Sequence, residues 1–130
     1  MTEPIKAKNP TVRAFIRGLQ RLEKEGNDST LVKLFAEDSN LGNVNLEKPV
    51  RGAVGAARFW REYRHTFEKV ESNFTSIFEA GDYAVLEWTS KGTLKTGTPV
   101  EYRGVSILTL QGNRISDFMA YYDSRHLTAH

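Results

Sequence analysis

DYAVLEWTSKGTLKTGTPVEYRGVSILTLQGNRISDFMAYYDSR, residues 82–125, reads as three successive β-strands joined by short turns. A strand with one wet face alternates apolar and polar residues. Here Val85-Leu86 with Trp88 next but one, Ser106-Ile107-Leu108-Thr109-Leu110, and Phe118-Met119-Ala120-Tyr121-Tyr122 leave neither face polar. Both faces of the sheet therefore need cover. Gly112-Asn113 marks the last hairpin and Thr96-Gly97-Thr98-Pro99 the connection before it. Upstream, Gly81-Asp82 reads as a two-residue hairpin turn that receives a strand running from about Val70 to Ala80.

Helices precede these strands. Asn9 as cap and Pro10 at the first helical position open a helix with Val12, Phe15, Ile16, Leu19 and Leu22 at helical spacing, and Gly26 closes it. A second short helix starts from Asp28 or Ser29 and is expected to bury Leu31, Val32, Leu34 and Phe35 before Asp38. Residues 39–55, SNLGNVNLEKPVRGAVG, read as a short strand followed by an irregular loop, broken at Pro49. The third helix is expected over Val54 to Phe67, with Ala56, Phe59, Trp60, Tyr63 and Phe67 as its apolar stripe. Helices, a short strand, a helix and four long antiparallel strands make an α+β layout with the helices gathered on one side of the sheet.

A chain of 130 residues, 39% hydrophobic and 26% charged, has the composition of one ordinary globular domain, spanning residues 1–130. No apolar run is long enough to span a bilayer. The opening MTEPIKAKNP has no apolar block after its charges and no small-residue cleavage site, so it does not read as a secretory signal, and a cytoplasmic location is expected. The absence of cysteine removes disulfides, thiolate nucleophiles and sulfur-ligated zinc. Chemistry, if any, falls to oxygen, imidazole or amine groups.

A net charge of +2 is well short of the field of a nucleic-acid binder. Arg13, Arg17, Arg21 and Lys24 on the first helix, and Arg58, Arg61 and Arg64 on the third, are interleaved with Glu23, Glu25, Glu62 and Glu68. That pattern reads as solvated, salt-bridged helix faces, with no nucleic-acid partner. His65 between Glu62 and Glu68, and His126 three residues after Asp123, have spacings that plain salt bridging explains; no metal site and no cofactor is expected. Asp123, at the end of the last strand, should cap the carboxy-terminal turn or meet a dimer partner, and Glu87 should face away from the core beside Trp88.

The order of elements, together with LFAEDSNL (34–41), RGAVGAARFW (51–60), YAVLEWTSKGTL (83–94), YRGVSIL (102–108) and RISDFMAYYDS (114–124), resembles the nuclear transport factor 2-like superfamily, and within it the SnoaL-like proteins. The resemblance implies a cone: three amino-terminal helices packed in the concave face of a curved, mainly antiparallel mixed sheet, with an apolar pocket at the wide end. Relatives include ketosteroid isomerases, polyketide cyclases, epoxide hydrolases and non-catalytic domains, so fold alone does not choose a function. Matching residue by residue, the isomerases' general-base aspartate falls on Asn43, and their oxyanion tyrosine and aspartate near Leu19 and Gly104. The arginine and aspartate of the limonene epoxide hydrolase type fall on Trp88 and Ser90, and its second aspartate near Ala120. Neither catalytic set is retained; Asn43 alone matches an asparagine that holds the attacking water in those hydrolases.

The same matching turns Leu86, Trp88, Ser90, Tyr102, Gly104, Ser106, Phe118, Ala120 and Tyr122 into the cone. Asn43, Trp60, Trp88, Ser90, Tyr102, Ser106, Phe118 and Tyr122 are thus the expected ligand-binding residues, suited to a small apolar or aromatic molecule held by a few hydrogen bonds. Isomerase, cyclase or hydrolase activity stays open, with Tyr102 or Tyr122 as proton donor, but no base is in evidence. The competing reading is a non-catalytic interaction or accessory module acting through the outer sheet face, where Val85, Val105, Ile107, Met119 and Tyr121 form an apolar row. Under either reading that row implies a homodimer.

Overall fold

A computed structural model describes residues 6–127, without the side chains of residues 126 and 127. The amino-terminal MTEPI and any pairing of His126 lie outside the described residues.

The first helix, α1 (Pro10–Glu25), begins where expected. Asn9 Oδ1 accepts hydrogen bonds from the backbone N–H groups of Thr11 at 2.8 Å and Val12 at 3.3 Å, which satisfies donors that have no partner inside the helix. Gly26 ends it in the left-handed region at φ 73°, its N–H returning to the Leu22 carbonyl. The second helix, α2 (Ser29–Val32), is a single turn and does not extend to Leu34 and Phe35 as the sequence suggests. Phe35 instead opens a strand, β1 (Phe35–Asn43), because the chain finds a long-range partner: the Ile115 N–H donates to the Leu34 carbonyl at 2.7 Å, and Phe35 pairs with Ile115. The expected irregular loop is correspondingly short. After residue 49 the chain returns as β2 (Val50–Arg51), pairing with Asn40 and Leu41.

The third helix, α3 (Gly52–His65), starts and stops two residues earlier than expected. Thr66 closes it, and Phe67 is not part of its stripe but the first residue of β3 (Phe67–Ala80), paired with Leu94. Strands β4 (Tyr83–Leu94), β5 (Pro99–Gln111) and β6 (Arg114–Tyr122) follow, then a 3-10 turn over Ser124–Leu127. Both two-residue hairpins are present. Ala80 pairs with Tyr83 and Gln111 with Arg114, and only the first loop residue, Gly81 at φ 58° or Gly112 at φ 63°, is left-handed, which is the type II′ pattern.

The six strands lie in the order β2-β1-β6-β5-β4-β3. All neighbours are antiparallel except β1 and β6, so the sheet is mixed, and it does not close on itself. A bulge between Phe74 and Ser76 changes the phase of β3: Val70 and Ser72 are buried before it, whereas Ile77 packs on the core after it and Phe78 turns outward. The helices cover the inner face, and the buried side chains fall into two groups. One gathers Phe15, Leu19, Phe35, Phe59, Trp60 and Phe118 between the helices and the sheet. The other is Phe67, Val70, Trp88, Leu94 and Tyr102. Among the described residues no helix is long and apolar enough to cross a membrane.

Candidate functional site

The two core groups share only the half-buried rings of Tyr63, Phe74 and Tyr122, and a cavity of about 280 Å³ is lined from both sides. One side is densely packed with rings: Trp60 and Phe118 have centroids 5.1 Å apart, and Phe15 and Phe118 5.5 Å. The sheet side carries Trp88, Tyr102 and Tyr122, with centroid separations of 5.4 Å for Trp88 and Tyr102 and 5.7 Å for Tyr102 and Tyr122. Period-two alternation puts Trp88 and Ser90 of β4, Tyr102 and Ser106 of β5, and Phe118 and Tyr122 of β6 on one wall. Trp60 comes from α3 and Asn43 from the end of β1. All eight residues singled out in the sequence line this one cavity.

Their polar groups are largely committed already. Asn43 Oδ1 accepts from the Asn45 N–H at 2.9 Å in a turn of its own, which leaves one lone pair and its amide N–H groups to meet a ligand or water. The indole N–H of Trp88 donates to Ser106 Oγ at 2.9 Å, and Asn45 Nδ2 donates to the Tyr122 hydroxyl at 3.2 Å. Trp60 Nε1 is buried and has no partner among the described residues. Burial pushes the Tyr102 phenol far above its ordinary range and raises that of Tyr122, so both are neutral hydroxyls at physiological pH.

One carboxylate overturns the sequence reading. Glu23 was expected on a solvated helix face, yet it is only 5% exposed. Its Oε1 accepts from the Ser72 N–H at 2.8 Å, and its Oε2 accepts from the Ser72 hydroxyl at 2.6 Å and the Tyr63 hydroxyl at 2.6 Å. Ser72 Oγ in turn lies 2.6 Å from Ser90 Oγ. Burial raises the Glu23 pKa above the ordinary glutamate value of 4.5, against the pull of its hydrogen bonds with Ser72 and Tyr63. The signal was present in the spacing: Glu23 stands four residues after Leu19 and seven after Ile16, on the apolar stripe of α1. Charge type outweighed position in the reading.

The other acids behave as expected. Glu87 is exposed, Asp123 Oδ1 accepts from the Arg125 N–H at 3.0 Å to cap the final turn, and Arg58 pairs with Glu62 at 3.1 Å and Arg21 with Glu25 at 3.8 Å. Among the described residues no Lys, Arg or His lines the cavity, and Glu62 lies at its edge. The wall therefore offers no counter-charge to an anionic ligand. Of the positions that the resemblance matches to catalytic groups, Leu19, Asn43, Trp88, Ser90 and Ala120 line it and carry no ionisable side chain, and Gly104 is not among the lining residues.

A family described as the SnoaL-like domain matches residues 12–118. No curated protein matches the sequence. Among solved structures, an NTF2-like protein from Anabaena variabilis superposes with a TM-score of 0.82 at 13% identity, over 96% of this chain and 100% of the other. A protein of ketosteroid isomerase-like fold from Catenulispora acidiphila, in complex with trimethylamine, gives a TM-score of 0.79 at 20% identity, over 93% of this chain and 91% of the other. An LEH-like epoxide hydrolase from M. tuberculosis gives 0.71 at 20% identity, over 90% of this chain and 83% of the other. At such identities the likeness is one of fold.

Proposed function

Because the chain belongs to the SnoaL-like domain family, with the NTF2-like cone as its fold, we propose that it binds a small apolar or aromatic molecule in the cavity between its two core groups. The observation that carries this reading is the cavity itself: about 280 Å³, walled by Trp60, Trp88, Tyr102, Phe118 and Tyr122, with a few fixed polar atoms among the rings. Apolar walls with sparse oriented hydrogen-bonding groups are the usual make-up of a small-molecule site. Its size sits at the low end for such pockets, roughly 300 Å³ and upward, which favours one or two fused rings over a steroid. The missing cations argue against aromatic acids. Isomerase, cyclase or hydrolase chemistry belongs to the proposal, and so do a cytoplasmic location and a homodimer joined through the outer sheet face.

Thermal unfolding against a panel of fused-ring alcohols, amines, ketones, terpenoid epoxides and aromatic acids tests it. A ligand at a hundred times its dissociation constant adds about 2.7 kcal/mol of stability. Neutral ring compounds should raise the melting temperature and acids should not; no shift from any compound would count against the pocket.

A second reading, a non-catalytic interaction module, is favoured by one observation on the opposite face. Phe78 is 65%, Ile107 36% and Tyr121 49% exposed, a set of apolar side chains continued by Val85, Val105 and Met119 across neighbouring strands. A partner other than a second copy could cover that face without any use of the cavity.

A further inference from the structure

The hydrogen bonds around Glu23 have a direction, and the direction reaches the cavity wall. Glu23 accepts three times: Ser72 N–H on Oε1, Ser72 O–H and Tyr63 O–H on Oε2. Above its raised pKa Glu23 is ionised and has no proton to give, so the Ser72 hydroxyl proton is then committed to Glu23. In the 2.6 Å contact between Ser72 Oγ and Ser90 Oγ, Ser90 must then be the donor. Ser90 lines the cavity with its proton turned away and its lone pairs free, and so does Tyr63, whose proton also points at Glu23.

We propose that Glu23, one hydroxyl behind the wall, sets the hydrogen-bond polarity of the site, so that the Ser90 and Tyr63 side of the cavity accepts and selects an apolar ring bearing an O–H or N–H group over an equivalent that can only accept. This rests on the reading of the cavity as a binding site and narrows its ligand class to small alicyclic or aromatic alcohols, phenols and amines. Glu23 does not line the cavity, so its role is positional and no proton is transferred in binding.

The substitution E23Q makes a sharp test because the Ser72 N–H fixes how the new amide sits. That N–H keeps the amide oxygen at the Oε1 position, which places the amide nitrogen where Oε2 was, facing Ser72 Oγ and the Tyr63 hydroxyl. The nitrogen donates to both. The Ser72 proton is released towards Ser90, and the Ser90 proton towards the cavity, so the same wall now donates. A second variant, S72A, cuts the chain of hydrogen bonds and frees Ser90 in the same sense. The donors elsewhere on the wall, the Trp60 N–H, the Asn43 amide and the Ser106 and Tyr122 hydroxyls, are common to all three proteins and cancel when the ligand ratio of a variant is set against that of the wild type.

Dissociation constants for indanol, aminoindane carrying its amine on the aromatic ring (an aniline, uncharged at neutral pH), indanone and indane, measured by calorimetry on wild type, E23Q and S72A, decide the matter, with circular dichroism confirming that each variant is folded. The wild type should bind indanol and aminoindane about tenfold more tightly than indanone, the equivalent of about 1.4 kcal/mol. E23Q and S72A should lower that ratio by about tenfold. Equal affinity of the wild type for indanol and indanone, or an unchanged ratio in folded E23Q and S72A, overturns the proposal while leaving the binding site intact. Failure of all four compounds, indane included, removes the binding site and this inference with it.

Discussion

The indole ring of Trp88 lies across Gly104, its partner on the adjacent strand, so closely that a methyl group on Gly104 would stand 2.7 Å from the Cζ2 atom of the ring. No side chain larger than hydrogen fits at that position while the ring stays where it is.

Replacing Gly104 with Ala is therefore expected to destabilise the fold by about 1–3 kcal/mol, because the Trp88 ring and the Tyr121 carbonyl both stand where the new methyl must go. Urea unfolding with an unchanged slope would measure it. A wild-type midpoint for the variant would mean that Trp88 has room to move.

Glu23 makes stability depend on pH in a stated sense. Its folded pKa lies above 4.5, so the folded chain holds more proton than the unfolded one between 4.5 and that raised value, and stability falls as pH rises through this window. Glu71 opposes its ionisation, Tyr63 and Tyr102 face it, and Lys24, Arg64, Lys69, Lys91 and Glu101 share the groove outside. The E23Q variant should lose this segment of the profile and gain stability relative to wild type above it. Parallel profiles for the two proteins would place Glu23 in solvent.

Loss of the Asn9 cap should cost about 1 kcal/mol, since Asn9→Ala leaves the Thr11 and Val12 N–H groups without their acceptor. The same variant should leave ligand affinity unchanged, because Asn9 is not among the cavity residues. Chemical denaturation and one binding titration check both halves.

Charge placed on the outer face should separate a dimer from its monomers. Ile107→Lys combined with Tyr121→Lys introduces two cations into the exposed apolar row while touching nothing that lines the cavity. Sedimentation at low micromolar concentration should show the wild type as a dimer and the variant as a folded monomer. A monomeric wild type would remove the dimer from the proposal.

The strands were legible because their signals are local. Gly81-Asp82 and Gly112-Asn113 specify tight hairpins by backbone freedom, and the period of two then carries each face along β4, β5 and β6, but with neither face polar the choice of inward face came from the family resemblance. Phe35 to Asn43 was not legible in the same way. Leu34-Phe35-Ala36-Glu37 is acceptable helix sequence, and what makes it a strand is parallel pairing with β6, nearly eighty residues away along the chain. Phe67 failed for a related reason: it continues the spacing of the α3 stripe, and only its pairing with Leu94 reveals the strand. At the site, ring and hydroxyl positions followed from the family resemblance, which set the inward face, together with strand parity. The direction of their hydrogen bonds did not, because it is set by Glu23 on a different element, whose charge suggested solvent.

Trp60 and Trp88 are the only tryptophans in the chain, and both line the cavity, so fluorescence excited selectively in tryptophan reports on that cavity. Titration of the unmodified protein with indanol is the most direct test of a binding site there. A saturable change in tryptophan emission, accompanied by a rise in melting temperature at the same concentrations, is the result expected. Emission and melting temperature that stay flat up to the solubility limit of indanol, aminoindane and indane would contradict it.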